Sequence, residues 1–208
     1  MENNKENNAV RLCGAMVGAP AFSHSSRGQR FYRFPLEVQR LSGATDTLNI
    51  LVRPEQLEAA APDGGGKLLV TGELRSFNNR RGDGARLVLT VLARELVCCD
   101  GPDENEVSLR GTLCKEPKPR VTPMGRDICD LMLAVNRSYG RSDYLPCICW
   151  GSLARQAACW TVGTRLALRG RFQSRGYVKL TEDGPVQRVA YEISAAEAEV
   201  LEPAIVGV

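Results

Sequence analysis

The sequence predicts an all-β protein made of two small barrels that follow one another in a chain of 208 residues. Three observations lead to this prediction. A sequence pattern recurs at a fixed offset, most of each copy shows the apolar and polar alternation of strands, and each copy holds one short helical segment at the same place. The chain is long enough to give two such domains a core each.

The repeat begins with a glycine motif. Val10-x-Leu12-x-Gly14 recurs as Val107-x-Leu109-x-Gly111, at an offset of 97 positions. The same offset relates further pairs, among them Pro20 and Pro117, Gly28 and Gly125, Leu36 and Leu133, Arg40 and Arg137, and Asp46 and Asp143. Residues 67–72 match residues 165–170 at an offset of 98. This pattern over some 65 residues indicates a tandem duplication.

Each copy is predicted to be mostly strand. In the second copy, residues 128–135, 144–150 and 165–172 alternate or run apolar between Gly, Pro, Asn and Ser clusters. Between the last two lies a helix-forming segment, 152–160, closed by Gly163. Its counterpart in the first copy is 54–61, with a proline in its first turn. About five strands with a helix between the third and fourth is the layout of an OB fold, a five-stranded Greek-key barrel.

The charge distribution gives the domain limits. Residues 9–98 hold 12 Lys and Arg against 8 Asp and Glu, and residues 107–202 hold 14 against 10. Residues 99–106 between them carry four acidic residues and no basic one. We therefore predict a divergent first OB domain over 9–98, an acidic linker over 99–106 and a second OB domain over 107–202.

Alternation separates the two faces of the strands in the second copy. Leu145, Cys147 and Cys149 share one parity and are predicted to be core, so Tyr144, Ile148 and Trp150 face outward. Leu166, Leu168, Gly170 and Phe172 point inward, which leaves Arg169, Arg171, Gln173, Arg175 and, if no bulge intervenes, Tyr177 outside. Tyr139 lies in the hairpin loop 136–143.

One outer surface with aromatic rings and arginines is the combination that single-stranded nucleic acid requires, because rings stack on bases and cations follow the phosphates. The alternative is that these rings cap the barrel or lie in a dimer interface. The second copy contributes Tyr139, Tyr144, Trp150, Tyr177, Arg137, Arg141, Arg169, Arg171, Arg175 and Lys115 to the predicted DNA-binding set.

The first copy lacks this aromatic set, since the equivalents of Tyr144, Trp150 and Tyr177 are roughly Thr47, Arg53 and Asn79. Phe31 and Phe34 are interpreted as core, whereas Tyr32 and Phe77 could stack on bases. This copy either binds the DNA backbone or serves in oligomerisation. Its predicted DNA-binding residues are Arg40, Arg53, Phe77 and Arg80.

The second copy resembles the bacterial single-stranded DNA-binding protein family. Five segments over about 95 residues carry the resemblance: 105–113, 117–125, 133–139, 144–154 and 163–175. The first copy is similar only in outline, through residues 10–14, 34–38 and 67–72. The resemblance implies that Tyr139, Tyr144, Trp150 and Tyr177 are the base-stacking positions.

The resemblance also implies a partner and a setting. Family members usually assemble four OB folds, so a chain with two suggests a homodimer that binds single-stranded DNA during replication, repair and recombination. The expected location is the cytoplasm, at the nucleoid. The sequence ends Glu202-Pro-Ala-Ile-Val-Gly-Val208, without the acidic, phenylalanine-terminated tail through which many members recruit replication or recombination proteins.

Other functions have weaker support in the sequence. There is one histidine, no Cys-x-x-Cys pair and no GxxxxGK[ST] loop, so neither an enzyme nor a cofactor or metal site is expected. The eight cysteines are interpreted as buried thiols of a reducing cytoplasm. No segment has the length of a membrane span. An accessory protein of the primosome or of recombination, acting mainly through protein contacts, remains the alternative, and RNA is a possible ligand.

Overall fold

The computed structural model describes residues 7–60, 66–79, 87–137, 140–181 and 184–202. The chain forms two compact units. The first unit comprises Val10–Glu106 and Gln173–Tyr191, and the second comprises Met1–Ala9, Val107–Phe172 and Glu192–Val208. These units are defined by which residues pack together. The predicted domain limits, 9–98 and 107–202, are defined by the sequence repeat and stay a prediction.

The strands of the first unit close into a barrel. They are β1 (Asn8–Met16), β2 (Ala21–Ser26), β3 (Gln29–Gln39), β4 (Thr45–Val52), β5 (Lys67–Asn78) and β6 (Leu87–Cys99), with helix α1 (Pro54–Ala60) between β4 and β5. The pairing order is β2-β3-β4-β6-β5-β1, and a further pairing of β1 with β3 closes the ring. The strands β4 and β6 pair in parallel, at Ile50 and Val91.

The second unit repeats this plan. Its elements are β7 (Glu104–Leu113), β8 (Lys118–Val121), β9 (Asp127–Asn136), β10 (Ser142–Trp150), α2 (Gly151–Ala157), β11 (Arg165–Thr181) and β12 (Gly184–Glu202). The order is β7-β11-β12-β10-β9-β8, and β7 pairs with β9 to close the ring. The strand β10 runs parallel to β12 at Cys147 and Ile193. The predicted pair of OB folds is confirmed, each with one short strand (β2 or β8) beyond the five expected.

Each barrel has an apolar core formed by the inward parity of its strands. In the first unit the largest fully buried side chains include Leu12, Phe34, Leu36, Leu48 and Ile50. In the second unit they are Phe172, Leu109, Leu113 and Leu133. The prediction that Phe34 is core is confirmed. The prediction that Phe31 is core is wrong, because its ring is half-exposed and stacks on His24.

The repeated glycine motif has a packing reason. A Cβ on Gly14 would collide with the carbonyl oxygen of Glu37, and one on Gly111 would lie 2.6 Å from that of Ala134. In each unit the backbone of the first strand thus approaches the strand that closes the barrel too closely for any side chain.

A second repeated feature is a buried ion pair. Asp46 is fully buried and accepts hydrogen bonds from Arg40 Nε at 2.7 Å and Arg40 Nη2 at 2.5 Å. Asp143, also fully buried, binds Arg137 in the same way, with Nε at 2.6 Å. Each pair joins the two ends of the hairpin that follows β3 or β9, so the offset of 97 preserves a structural contact.

The prediction of buried thiols holds for part of the cysteine set. Cys13, Cys129, Cys147 and Cys149 are buried, but Cys98 and Cys159 are exposed, which the sequence interpretation had wrong. Burial raises the pKa of Cys149 to about 12. Burial, aided by a 2.8 Å contact with Cys99 Sγ, likewise raises the pKa of Cys13 to about 12. These two thiols are therefore protonated at neutral pH.

Candidate nucleic-acid interface

The strand β10 carries the two predicted rings that the structure describes in the second unit. Tyr144 and Trp150 are 51% and 39% exposed, while Leu145, Cys147 and Cys149 are buried, as the parity predicts. The two rings are six positions apart, which is about 20 Å along a strand. Ile148 shares their parity and was predicted to face outward, but it is 3% exposed, so that prediction is wrong. The two exposed rings therefore lie at the ends of a strand whose middle is covered.

The end of β10 explains why Trp150 is exposed. Trp150 has extended backbone dihedrals and is the residue before α2, and Gly151 follows with a φ of 57°. A left-handed residue at this point is favourable for glycine, and it turns the chain sharply from strand to helix. The indole is thereby left at the rim of the strand.

Two arginines lie on the neighbouring part of the outer surface. Arg169 and Arg171 of β11 are exposed, and the inward neighbours Leu168 and Phe172 are buried, as predicted. One strand, β12, separates β11 from β10, which places their backbones roughly 10 Å apart. Within the described part of the second unit, neither arginine forms an ion pair, so both charges are available to an anion.

The remaining predicted cations of the second unit differ in their surroundings. Arg141, in the turn before β10, and Lys115, in the connection between β7 and β8, are both exposed. Arg137 instead holds the buried carboxylate of Asp143, which neutralises its charge. Tyr139 lies outside the described residues.

The outer portion of the β11–β12 hairpin packs with the first unit. Ser174 N donates to Asp46 Oδ1 at 2.7 Å, and Thr47 N donates to Ser174 Oγ at 3.1 Å. Tyr191 is partly buried beside Asn49, and this burial raises its pKa. The hairpin thus contacts β4 and the turn that precedes it.

This packing changes the alternation on β11. Phe172 and Gln173 are both buried, so the prediction that Gln173 faces outward is wrong. Beyond that point Arg175 and Tyr177 are exposed, Tyr177 by 37%. The structure therefore assigns these two predicted residues to the first unit.

The first copy's own predicted residues lie on separate elements. Arg53, at the Trp150 position of the repeat, is exposed before α1, and Phe77 of β5 is 52% exposed. Arg40 is held by Asp46 and also donates to the carbonyl oxygen of Ser174 at 3.2 Å. Arg80 lies outside the described residues.

The sequence reasoning named Tyr32 as a ring that could stack on bases, but it missed Phe22 and the meeting of the two rings on the β2–β3 hairpin. Phe22 is 55% exposed, with its ring centroid 5.9 Å from that of Tyr32 at an interplanar angle of 80°. The guanidinium carbon of Arg30 lies 5.6 Å from the Phe22 centroid and 5.5 Å from the Tyr32 centroid. The segment Ala21–Ser26 has weak strand character in sequence, so only its pairing with β3 shows that these side chains meet.

Within the ranges that the structure describes, no cluster of three or more His, Cys, Asp or Glu side chains could hold a metal ion. No helix in the same ranges is long and apolar enough to cross a membrane.

Comparison with known proteins supports the assignment of the second copy. A family model described as the single-strand binding protein family matches residues 104–201. Single-stranded DNA-binding protein 2 of Listeria innocua is 35% identical over 107 residues, which cover 48% of this chain and 65% of that protein. Single-stranded DNA-binding protein B of Bacillus subtilis is 35% identical over 80 residues, covering 35% of this chain and 71% of that protein. This chain thus spans slightly less than two thirds of the Listeria relative.

The fold of the whole chain has a counterpart among solved structures. The single-stranded DNA-binding protein of Thermus aquaticus superposes with a TM-score of 0.76 over 97% of this chain and 96% of that one, at 22% sequence identity. At this identity the likeness concerns the fold. Together with the family match on the second copy and the Bacillus relative, the comparisons show that the chain belongs to the single-strand binding protein family.

Proposed function

We propose that this protein binds single-stranded DNA without sequence preference and performs no chemistry on it. The observation that carries the proposal is the surface of β10 and β11, defined by Tyr144, Trp150, Arg169 and Arg171. Bases stack on the two exposed rings and phosphates follow the two arginines. Stacking tolerates every base and is worth ~1–3 kcal/mol for each ring, so affinity comes without base readout.

The setting of this activity follows from the relatives. Proteins from Listeria, Bacillus and Thermus that resemble this chain are named for single-stranded DNA binding. We infer that the protein covers single strands exposed in replication, repair and recombination, as a homodimer with four OB folds in the cytoplasm. The predicted residues Arg141 and Lys115 extend the cationic track, and Arg175 and Tyr177 supply contacts from the first unit. Tyr139, Phe77, Arg53 and Arg80 remain predicted contacts, whereas Arg40 and Arg137 serve to hold their buried carboxylates.

The test is a fluorescence titration with a poly-thymidine oligonucleotide and with the matching duplex, at low and high salt. Replacing Trp160 by phenylalanine leaves Trp150 as the reporter. We expect strong quenching by the single strand and weak binding of the duplex. Tyr144→Ala and Trp150→Ala, compared with wild type by the anisotropy of a fluorescein-labelled oligonucleotide, each lose ~1–3 kcal/mol of binding free energy. Val121→Ala, an exposed substitution on the β8–β9 hairpin, is the matched control and leaves the affinity unchanged.

The arginines are tested by salt dependence. Each phosphate contact contributes ~0.7 to the slope of log affinity against log salt for a single strand, so Arg169→Gln with Arg171→Gln lowers the slope by about 1.4. Arg155→Gln removes an exposed charge that Asp127 already pairs at 2.6 Å, and it serves as the control. Wild-type protein that binds neither DNA form would refute the proposal.

A further inference from the structure

The β2–β3 hairpin of the first unit projects aromatic and cationic side chains away from the barrel core. All six residues of β2 are exposed, and the turn at Arg27 and Gly28 has φ values of 51° and 78°. A ring that is left in water on an exposed strand contributes nothing to the core. The function proposed above does not use this hairpin.

A bulge assigns the rings to opposite faces. Phe22 pairs with Tyr32 and His24 pairs with Phe31, with the register shifting between Phe22 and His24. Phe22 and His24, which would share a face in a regular strand, therefore lie on opposite faces of the hairpin. Phe22, Tyr32 and Arg30 meet on one face, while on the other His24 stacks on Phe31 at 5.0 Å and 15°.

The charge of the hairpin is entirely positive. Residues 21–33 contain Arg27, Arg30 and Arg33 and no acidic residue. Arg30 also lies over the Phe22 and Tyr32 rings, which fixes a cation beside an exposed aromatic face. An anionic ligand that also carries flat rings fits both features.

The equivalent hairpin of the second copy lacks these three side chains at the corresponding positions. At the offset of 97, Phe22, Arg30 and Tyr32 correspond to Pro119, Asp127 and Cys129. The correspondence holds in the structure, because Phe22 pairs with Tyr32 as Pro119 pairs with Cys129, and the turn glycines Gly28 and Gly125 have φ values of 78° and 75°. The second copy has its rings on β10 instead, where the first copy has Thr47 and Arg53.

We propose that the face formed by Phe22, Arg30 and Tyr32 is a second stacking site for single-stranded DNA. A base stacks on the exposed Phe22 ring, Tyr32 supports that ring edge-on, and Arg30 meets the adjacent phosphate. The two copies thus bind the same class of ligand with different elements. This inference rests on the function proposed above and adds a contact of the first unit to it.

The experiment uses the full chain and a thymidine oligonucleotide of about 35 nucleotides, longer than the ~4–16 that one OB fold contacts. Phe22→Ala lowers the affinity about 5-fold or more, and Phe22→Trp retains it. His24→Ala, on the opposite face of the same hairpin, is the matched control and leaves the affinity unchanged. Circular dichroism of each variant confirms that the exposed substitution has not altered the fold.

A second measurement locates the contact directly. An oligonucleotide carrying 5-iododeoxyuridine is crosslinked under ultraviolet light and the protein is digested with trypsin. We expect crosslinks in the fragment Leu12–Arg27, which contains Phe22, and their loss in Phe22→Ala.

The outcomes separate this inference from the proposed function. If wild-type protein binds and Tyr144→Ala weakens binding, but Phe22→Ala binds like wild type, the hairpin site is refuted and the proposed function stands. A change in sedimentation on Phe22→Ala with unchanged DNA affinity would likewise refute it and identify a protein contact. Failure of wild-type protein to bind the oligonucleotide refutes both.

Discussion

At the scale of single residues, the most informative side chains are two carboxylates inside all-β barrels. Asp46 and Asp143 are fully buried, and an arginine six positions earlier in each copy satisfies them. Asp46 also accepts from the backbone N–H and the hydroxyl of Ser174. A buried ion pair with this many hydrogen bonds is costly to break, because the charged group that remains has neither water nor its partner around it.

We therefore expect Asp46→Ala to lower the free energy of unfolding by about 3 kcal/mol, toward the lower end of the range for buried pairs because Arg40 is partly exposed. Asp130→Ala removes the same kind of Arg–Asp contact at the surface, 2.6 Å from Arg120, and costs less than about 1 kcal/mol. Urea unfolding of the two variants measures the difference. Equal losses would show that burial of Asp46 does not determine the strength of its pair.

The sequence could show that Arg40 and Arg137 are equivalent, but not that their charges are used internally. In the sequence, an arginine at an outward-facing strand position beside a loop looks the same whether its partner is a phosphate or a carboxylate. Burial of Asp143 depends on the closed barrel, which alternation does not reveal. By contrast, strand parity predicted the inward positions Leu145, Cys147 and Cys149 and the exposed Tyr144 and Trp150, although it did not predict the burial of Ile148.

At the scale of secondary structure elements, the close approach of β1 to β3 at Gly14 constrains the barrel. A methyl group there meets a backbone carbonyl oxygen, which cannot rotate away as a flexible side chain would. The repeat of the motif at Gly111 places the same constraint in the second unit. The glycine is needed for space, since neither residue has a positive φ.

Gly14→Ala is expected to destabilise the first unit by about 2 kcal/mol or more, since the strands must separate to admit the methyl group. Gly101→Ala, where no atom lies within 4 Å of the added Cβ, is the matched control and changes stability by less than about 0.5 kcal/mol. Thermal unfolding followed by circular dichroism compares them. A tolerated Gly14→Ala would mean that β1 and β3 lie further apart in solution.

The predicted elements were accurate where buried and exposed residues alternate regularly along a strand, and inaccurate where this alternation is interrupted. Strands β9 and β10 and the helix between β10 and β11 were predicted within a few residues. Strand β11 extends to Thr181, beyond the predicted segment 165–172, and Gln173 is buried although its parity faces outward. In β2 the register shifts at a bulge between Phe22 and His24. Both irregularities depend on a partner that the local sequence does not contain.

At the scale of the whole molecule, the two OB folds of one chain lead to a prediction about assembly. If the protein assembles four OB folds, as the sequence resemblance implies, two chains are needed. We predict a homodimer with twice the 22.7 kDa mass of the chain, measured by light scattering during gel filtration. A single-chain mass at micromolar concentration would contradict this prediction, and the DNA titration would then be interpreted for a monomer.

The packing of residues 173–191 with the first unit has a consequence for synthesis. Chains usually fold from the N-terminus as they leave the ribosome. Here the first unit cannot be completed in that order, since it takes in residues that are translated only after the whole of Val107–Phe172. Until then Asp46 and Thr47 lack their bonds to Ser174, and Asn49 lacks Tyr191. The part of the protein that is translated first therefore completes its fold only after residues 173–191 have been translated.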